Sequence, residues 1–306
     1  MKHTLNITLI LVLLFLVSQI TGLAITSRYI QVKETVTIDE ATNETIILKN
    51  ITYGALPYDV TRPVIEESSS FMYIMSAILI GTVLVLILIK FKKVSLWKFW
   101  FFLSIWMCLT IAFAAFLQQT IALVLALVLA IFRIQKPNVV VHNLTELFVY
   151  GGLAAIFVPL MNIFAVFMLL LLISIYDMFA VWKSKHMIKL AKFQSESRVF
   201  AGMMIPYKKP KIGKGKLVKK KIKTAILGGG DIGFPLMFAG VVMKNLMLKN
   251  TVAISFLEAL IIPVLVSAAL FCLLAKGKEN KFYPAMPFIS IGCLAGFLVV
   301  WLINLI

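Results

Sequence analysis

Apolar residues run in long unbroken blocks along this chain instead of alternating with polar ones. Blocks near membrane-spanning length fall at roughly 5–26, 71–90, 97–117, 119–132, 139–158, 160–182, 224–243, 251–274 and 287–306. A helix needs about 20 apolar residues to cross a ~30 Å hydrocarbon layer. Continuous patterning predicts helices and argues against a barrel, whose strands alternate. The expected fold is an all-α membrane protein with about nine transmembrane helices, the fourth of them short. Three regions follow: 1–182 with spans one to six and an external loop at 27–70, a basic loop at 183–223, and 224–306 with spans seven to nine. The first block admits a second reading. Lys2 and His3 precede it and Gly22-Leu23-Ala24 close it, a pattern shared with cleavable signal peptides.

Composition supports the membrane class, because 61% of the 306 residues are hydrophobic, against ~45–50% in soluble domains. The net charge of +17 is unevenly placed. Between Lys183 and Lys223 stand fourteen Lys/Arg and one acid, Glu196. A cytoplasmic loop under the positive-inside bias accounts for this better than nucleic-acid binding, so anionic lipid headgroups are the expected electrostatic partner and no nucleic acid is. Lys90, Lys92, Lys93 and Lys98, then Arg133 and Lys136, then Lys276, Lys278 and Lys281 fall on the same side. That places the N-terminus and the 183–223 loop in the cytoplasm of a multi-pass cell-membrane protein, and the C-terminus outside. The other side carries Lys244, Lys249 and the 27–70 segment, with seven acids and four bases. Its "ETVTI" and "ETIILKNITYG" stretches predict a small hairpin or loop, and Asn43 and Asn50 match glycosylation acceptors. Cys108, Cys272 and Cys293 read as small buried hydrophobes, with neither disulfide nor metal spacing.

Four acids lie inside predicted spans: Glu146, Asp177, Asp231 and Glu258. An ionisable group at membrane depth costs free energy and is a functional candidate by default. Asp177 precedes Lys183 by six positions and Asp231 follows Lys223 by eight. At ~1.5 Å per residue the two lie ~9 and ~12 Å deep on neighbouring antiparallel helices, nearly level. Glu258 sits in the opposite half. His142 and Glu146 share a helix face and are expected to satisfy each other. Two facing aspartates cannot both ionise in a low-dielectric site, so the pair holds one proton. Such a pair suits general acid–base hydrolysis of a peptide bond without metal, cofactor or covalent nucleophile. An interhelical hydrogen bond or a proton relay in a transporter or leak channel would use the same residues.

Motifs around the two aspartates decide between these. Tyr176-Asp177 in span six and Gly228-Gly229-Gly230-Asp231 in span seven match the Tyr-Asp and Gly-x-Gly-Asp motifs of the presenilin and signal peptide peptidase family, which the chain resembles over nearly its whole length. The aspartates are 54 residues apart across a basic loop, as in that family, and Pro284-Ala285-Met286-Pro287 stands where the family reads Pro-Ala-Leu. The family consists of intramembrane aspartic proteases. The resemblance implies that Asp177 and Asp231 are the catalytic pair, that Tyr176, Gly228 and Gly230 support it, and that Pro284, Ala285, Met286 and Pro287 shape the site and place substrate. Met286 departs from leucine at similar volume. Implied substrates are single-span transmembrane proteins or signal peptides.

Signal peptide peptidases have the inverted orientation, whereas the lysines here predict that of presenilin. "GDIGFP", with Pro235, looks more like the peptidases, so the chain resembles a microbial homologue of both groups, of archaeal type. A prepilin-type leader peptidase also uses Gly-x-Gly-Asp, but nine spans and the Pro-Ala-Met-Pro stretch argue against it. The stretch 216–227, "KLVKKKIKTAIL", is expected either to anchor at the membrane or to pair as a strand with an unwound substrate. Residues 185–202 are expected to lie along the interface as a helix.

Overall fold

A computed structural model describes residues 5–38, 45–136, 138–184, 187, 190, 193–194, 197, 199–208, 222–277 and 283–305. Six helices come first: α1 (Leu5–Tyr29), α2 (Ser70–Lys90), α3 (Val94–Ala114), α4 (Gln119–Gln135), α5 (Val139–Phe157) and α6 (Ile163–Met178). After them come α7 (Gly229–Leu246), α8 (Val252–Ala259), α9 (Ile261–Lys276) and α10 (Met286–Ile303). Helices α8 and α9 form one apolar rod, 252–276, broken at Leu260 two residues ahead of Ile262-Pro263. Among the described residues seven apolar rods are long and apolar enough to cross a membrane; α4 is shorter, as its apolar block implies, and α7 is not one of the seven. Several starts are written in the local sequence. Asn138 caps α5 by accepting from the Val140 amide at 2.9 Å, and Asn162 caps α6 by accepting from the Ala165 amide at 2.8 Å.

The 27–70 segment contains the expected hairpin. Strand β1 (Ile30–Ile38) continues from α1 and pairs antiparallel with β2 (Thr45–Tyr53), Ile30 opposite Tyr53 and Ile38 opposite Thr45. Asn50 lies on β2, whereas Asn43 lies outside the described residues. Arg62 ties this hairpin to the bundle. Its guanidinium donates to the Gly54 carbonyl at 2.9 Å and to that of Ala155 at 3.3 Å, between the rings of Tyr29 and Tyr53. Burial beside Glu67 pushes the Tyr53 hydroxyl up to about 12.

The second hairpin was not expected. Residues 224–228, assigned from the sequence to span seven, belong to strand β4 (Ile222–Gly228), which pairs antiparallel with β3 (Gly202–Lys208). Helix α7 therefore starts at Gly229. "IKTAILG" is short, apolar and β-branched, a pattern that fits a buried strand as well as a helix end. The hairpin also crosses the boundary expected at 223/224. Much of 185–202 and residues 209–221 lie outside the described residues, as do Lys278 and Lys281.

The core centres on α1, α5, α6, α7, α9 and α10. Phe167, Phe238 and Phe297 meet edge to face at centroid distances of 5.1–6.2 Å and lock α6, α7 and α10 together. Leu11, Phe15 and Leu23 of α1 are fully buried in the same core. Three readings need correction. Lys244 is buried, donating to the Met161 carbonyl at 2.7 Å and to Glu67 at 3.2 Å. Arg133 is buried against Glu146. Cys272 is exposed, although Cys108 and Cys293 are buried.

Candidate active site

Asp177 sits one residue before the end of α6, and Asp231 is the third residue of α7. Helices α6 and α7 pack against each other, so the end of α6 that carries Asp177 and the first turn of α7 that carries Asp231 belong to one packed pair of helices. Beyond Met178 the chain winds as a π-helix, Phe179–Lys183. Such loosened turns recur at functional sites because the extra residue re-aims side chains.

Asp177 is buried, and its Oδ2 accepts a hydrogen bond from the Met286 amide at 3.1 Å. That amide is available because Met286 opens α10, where first-turn N–H groups have no partner within the helix. Pro287 follows within the first turn, where its missing N–H costs nothing. The Pro284–Pro287 stretch thus reaches Asp177 through its backbone, which the residue letters alone do not reveal. One turn deeper, Ser174 and Ser290 bridge α6 and α10 at 2.8 Å. The signal for that contact was available: each serine lies inside an apolar run, three or four positions from a site residue.

Asp231 folds back over Gly228, where a Cβ would stand 3.2 Å from its Oδ2. The family resemblance gives the supporting role to Gly228 and Gly230. The tightest position is instead Gly229, where a Cβ would lie 2.8 Å from the buried Tyr150 hydroxyl and 3.4 Å from the Ala201 carbonyl. The Gly229 amide donates to that same carbonyl at 3.2 Å. At Gly230 a Cβ would meet only Phe234 of its own helix. Pro235 lacks the N–H that would bond the Asp231 carbonyl, so the first turn of α7 is loosened at the site. Gln19 of α1, fully buried, donates to the neighbouring Ile232 carbonyl at 2.8 Å and steadies that turn.

Other sequence candidates fall elsewhere. Tyr176 donates its hydroxyl to Thr82 of α2 at 3.2 Å. His142 and Glu146 do not pair with each other. Glu146 is held by Arg133, and the His142 ring bonds the Gly202 carbonyl at 2.7 Å. Glu258 accepts from Asn304 at 2.9 Å, well separated in sequence and contacts from the aspartates.

A family model described as signal-peptide peptidase, presenilin aspartyl protease matches residues 12–306. The chain belongs to this family. Its fold is similar to a solved presenilin family intramembrane aspartate protease in a C222 crystal form, with TM-score 0.60 and 17% identity over 97% of this chain and 99% of that one. A P2 crystal form of a presenilin family intramembrane aspartate protease gives TM-score 0.58 and 16% identity over 96% of each chain. No curated protein matches this chain by sequence.

Proposed function

We propose that this protein is an intramembrane aspartic endopeptidase that hydrolyses peptide bonds within transmembrane helices, with Asp177 and Asp231 as its catalytic pair. The observation that carries the proposal is the packing of α6 against α7, with Asp177 at the end of one and Asp231 in the first turn of the other, and the backbone of Met286 bonded to Asp177. One proton shared by the pair leaves one carboxylate to take a proton from water and one carboxyl to polarise the scissile carbonyl. The water oxygen bonds to the carbonyl carbon. Collapse of the tetrahedral intermediate then breaks the C–N bond, and the amine leaves with a proton from the pair.

A helical substrate hides its peptide bonds in i→i+4 hydrogen bonds and must unwind before attack. Strand β4 has one edge paired with β3, and its other edge, without a strand partner among the described residues, suits an extended segment. In this reading Pro284 to Pro287 line the approach to Asp177, and Tyr176, Gly228 and Gly230 support the pair. The substrates are single-span transmembrane proteins or signal peptides. The basic 183–223 segment is cytoplasmic, and its lysines attract anionic lipid headgroups. Incubating the purified protein and its aspartate variants with a single-span helical substrate tests the proposal.

A further inference from the structure

The β3–β4 hairpin has two edges, and they are treated differently. Along an antiparallel strand, residues two apart direct their N–H and C=O groups to the same side. On the outer side of the chain that forms β3 these residues are Phe200, Gly202, Met204, Pro206 and Lys208. The first four are each blocked at one backbone group or more. The Phe200 carbonyl accepts from Arg133 Nη2 at 3.1 Å. The Gly202 carbonyl accepts from the His142 ring at 2.7 Å. Met204 is bracketed by one side chain: Asn143 Nδ2 donates to its carbonyl at 2.8 Å, and Asn143 Oδ1 accepts from its amide at 3.0 Å. Pro206 has no N–H to offer. Gly202 is fixed further, with φ +137 and a Cβ position 2.2 Å from the Leu227 carbonyl.

The opposite side of the hairpin differs. Thr224 and Ile226, facing Pro206 and Met204 in the register, direct their backbone groups away from β3. They have no backbone partner among the described residues. This edge runs through Gly228 directly into Asp231.

We propose that Arg133, His142 and Asn143 are positioning residues. They close the β3 edge from Phe200 to Met204 and hold the hairpin against α4 and α5. This leaves the β4 edge as the single acceptor for an extended substrate segment, in fixed register with Asp231. The inference rests on the reading of Asp231 as catalytic. A displacement of ~1 Å between substrate and catalytic group is enough to cost ~10²-fold in rate, so loosening the hairpin affects both speed and the choice of bond.

Asn143 is the residue to vary, because it is only half-buried and water can replace it, whereas removing Arg133 strands Glu146. The full-length protein and Asn143→Ala are compared by hydrogen exchange of the 202–208 and 222–228 backbone. Both are then given a single-span helical substrate whose products are mapped by mass. Asn143→Asp, which keeps the shape and the acceptor but removes the donor to Met204, serves if Asn143→Ala does not accumulate. The expected result is faster exchange in the hairpin, kcat lowered about 10- to 100-fold with KM changed less than about threefold, and cuts spread beyond the wild-type bonds. Unchanged exchange, or loss of yield with cuts confined to the wild-type bonds, overturns the inference. If the wild type cuts nothing, the protease reading fails, and exchange alone then decides whether the clamp exists.

Discussion

The amide of Met286 donates to Asp177 Oδ2 at 3.1 Å, joining the first turn of α10 to a carboxylate at the end of α6. The contact belongs to the backbone, so the identity of the side chain matters only through volume and through proline. Met286→Leu conserves volume at a buried position and is expected to change stability by less than about 1.5 kcal/mol with activity retained. Met286→Pro deletes the donor and pushes Ala285 out of its helical conformation. It is expected to abolish cleavage while the protein still elutes as a folded species. Cleavage rates and thermal melts of the two variants check this.

Gly229 touches the Tyr150 hydroxyl, and the pair invites a double-mutant cycle. Gly229→Ala places a methyl group 2.8 Å from that oxygen, an overpacking that typically costs ~1–3 kcal/mol. Adding Tyr150→Phe removes the atom in the way. The double variant is expected to be more active than Gly229→Ala alone, giving a non-zero coupling energy. Strictly additive effects on kcat would show that the contact is not what keeps this position glycine.

Arg133 and Glu146 form a buried ion pair, with Thr145 also bonded to the guanidinium at 2.9 Å. Breaking one side leaves an unpaired buried charge, typically a loss of ~3–5 kcal/mol. Arg133→Met is therefore expected to lower the melting temperature sharply. Arg133→Met with Glu146→Leu is expected to recover much of that loss. The same double variant still lacks the bond to Phe200, so its stability and its cleavage rate should separate.

Two carboxylates sharing a proton titrate as a unit. A plot of kcat/KM against pH is expected to be bell-shaped. Activity falls at low pH as the second carboxyl gains its proton and falls at high pH as the shared proton leaves. A profile flat across both limbs would remove the shared proton from the mechanism.

Much of this arrangement was legible in the residues. Asp177 and Asp231 stand out because carboxylates in apolar runs are costly, but counting their depth from the flanking lysines assumed a helix from Lys223, where strand β4 runs up to Gly228 instead. The parts that were not legible have physical reasons. A strand was one expectation for 216–227, but its pairing with β3 and its run to Gly228 were hidden in an apolar stretch that suits a helix end equally well. Arg133 read as a loop charge, since a basic residue at the margin of a span obeys the positive-inside bias whether it is solvated or buried. His142 and Glu146 are correctly spaced to pair, but spacing cannot show that Gly202 and Arg133 offer each a better partner. The third glycine of Gly228-Gly229-Gly230 had no role until Tyr150, 79 positions away in the chain, arrived against it.

The central claim is that Asp177 and Asp231 together perform the hydrolysis. The direct measurement is cleavage of a single-span helical substrate by purified wild type, Asp177→Ala and Asp231→Ala, with melting curves to show that all three are folded. The account expects cleavage by the wild type and none above background from either variant. Robust cleavage by either folded variant would contradict it.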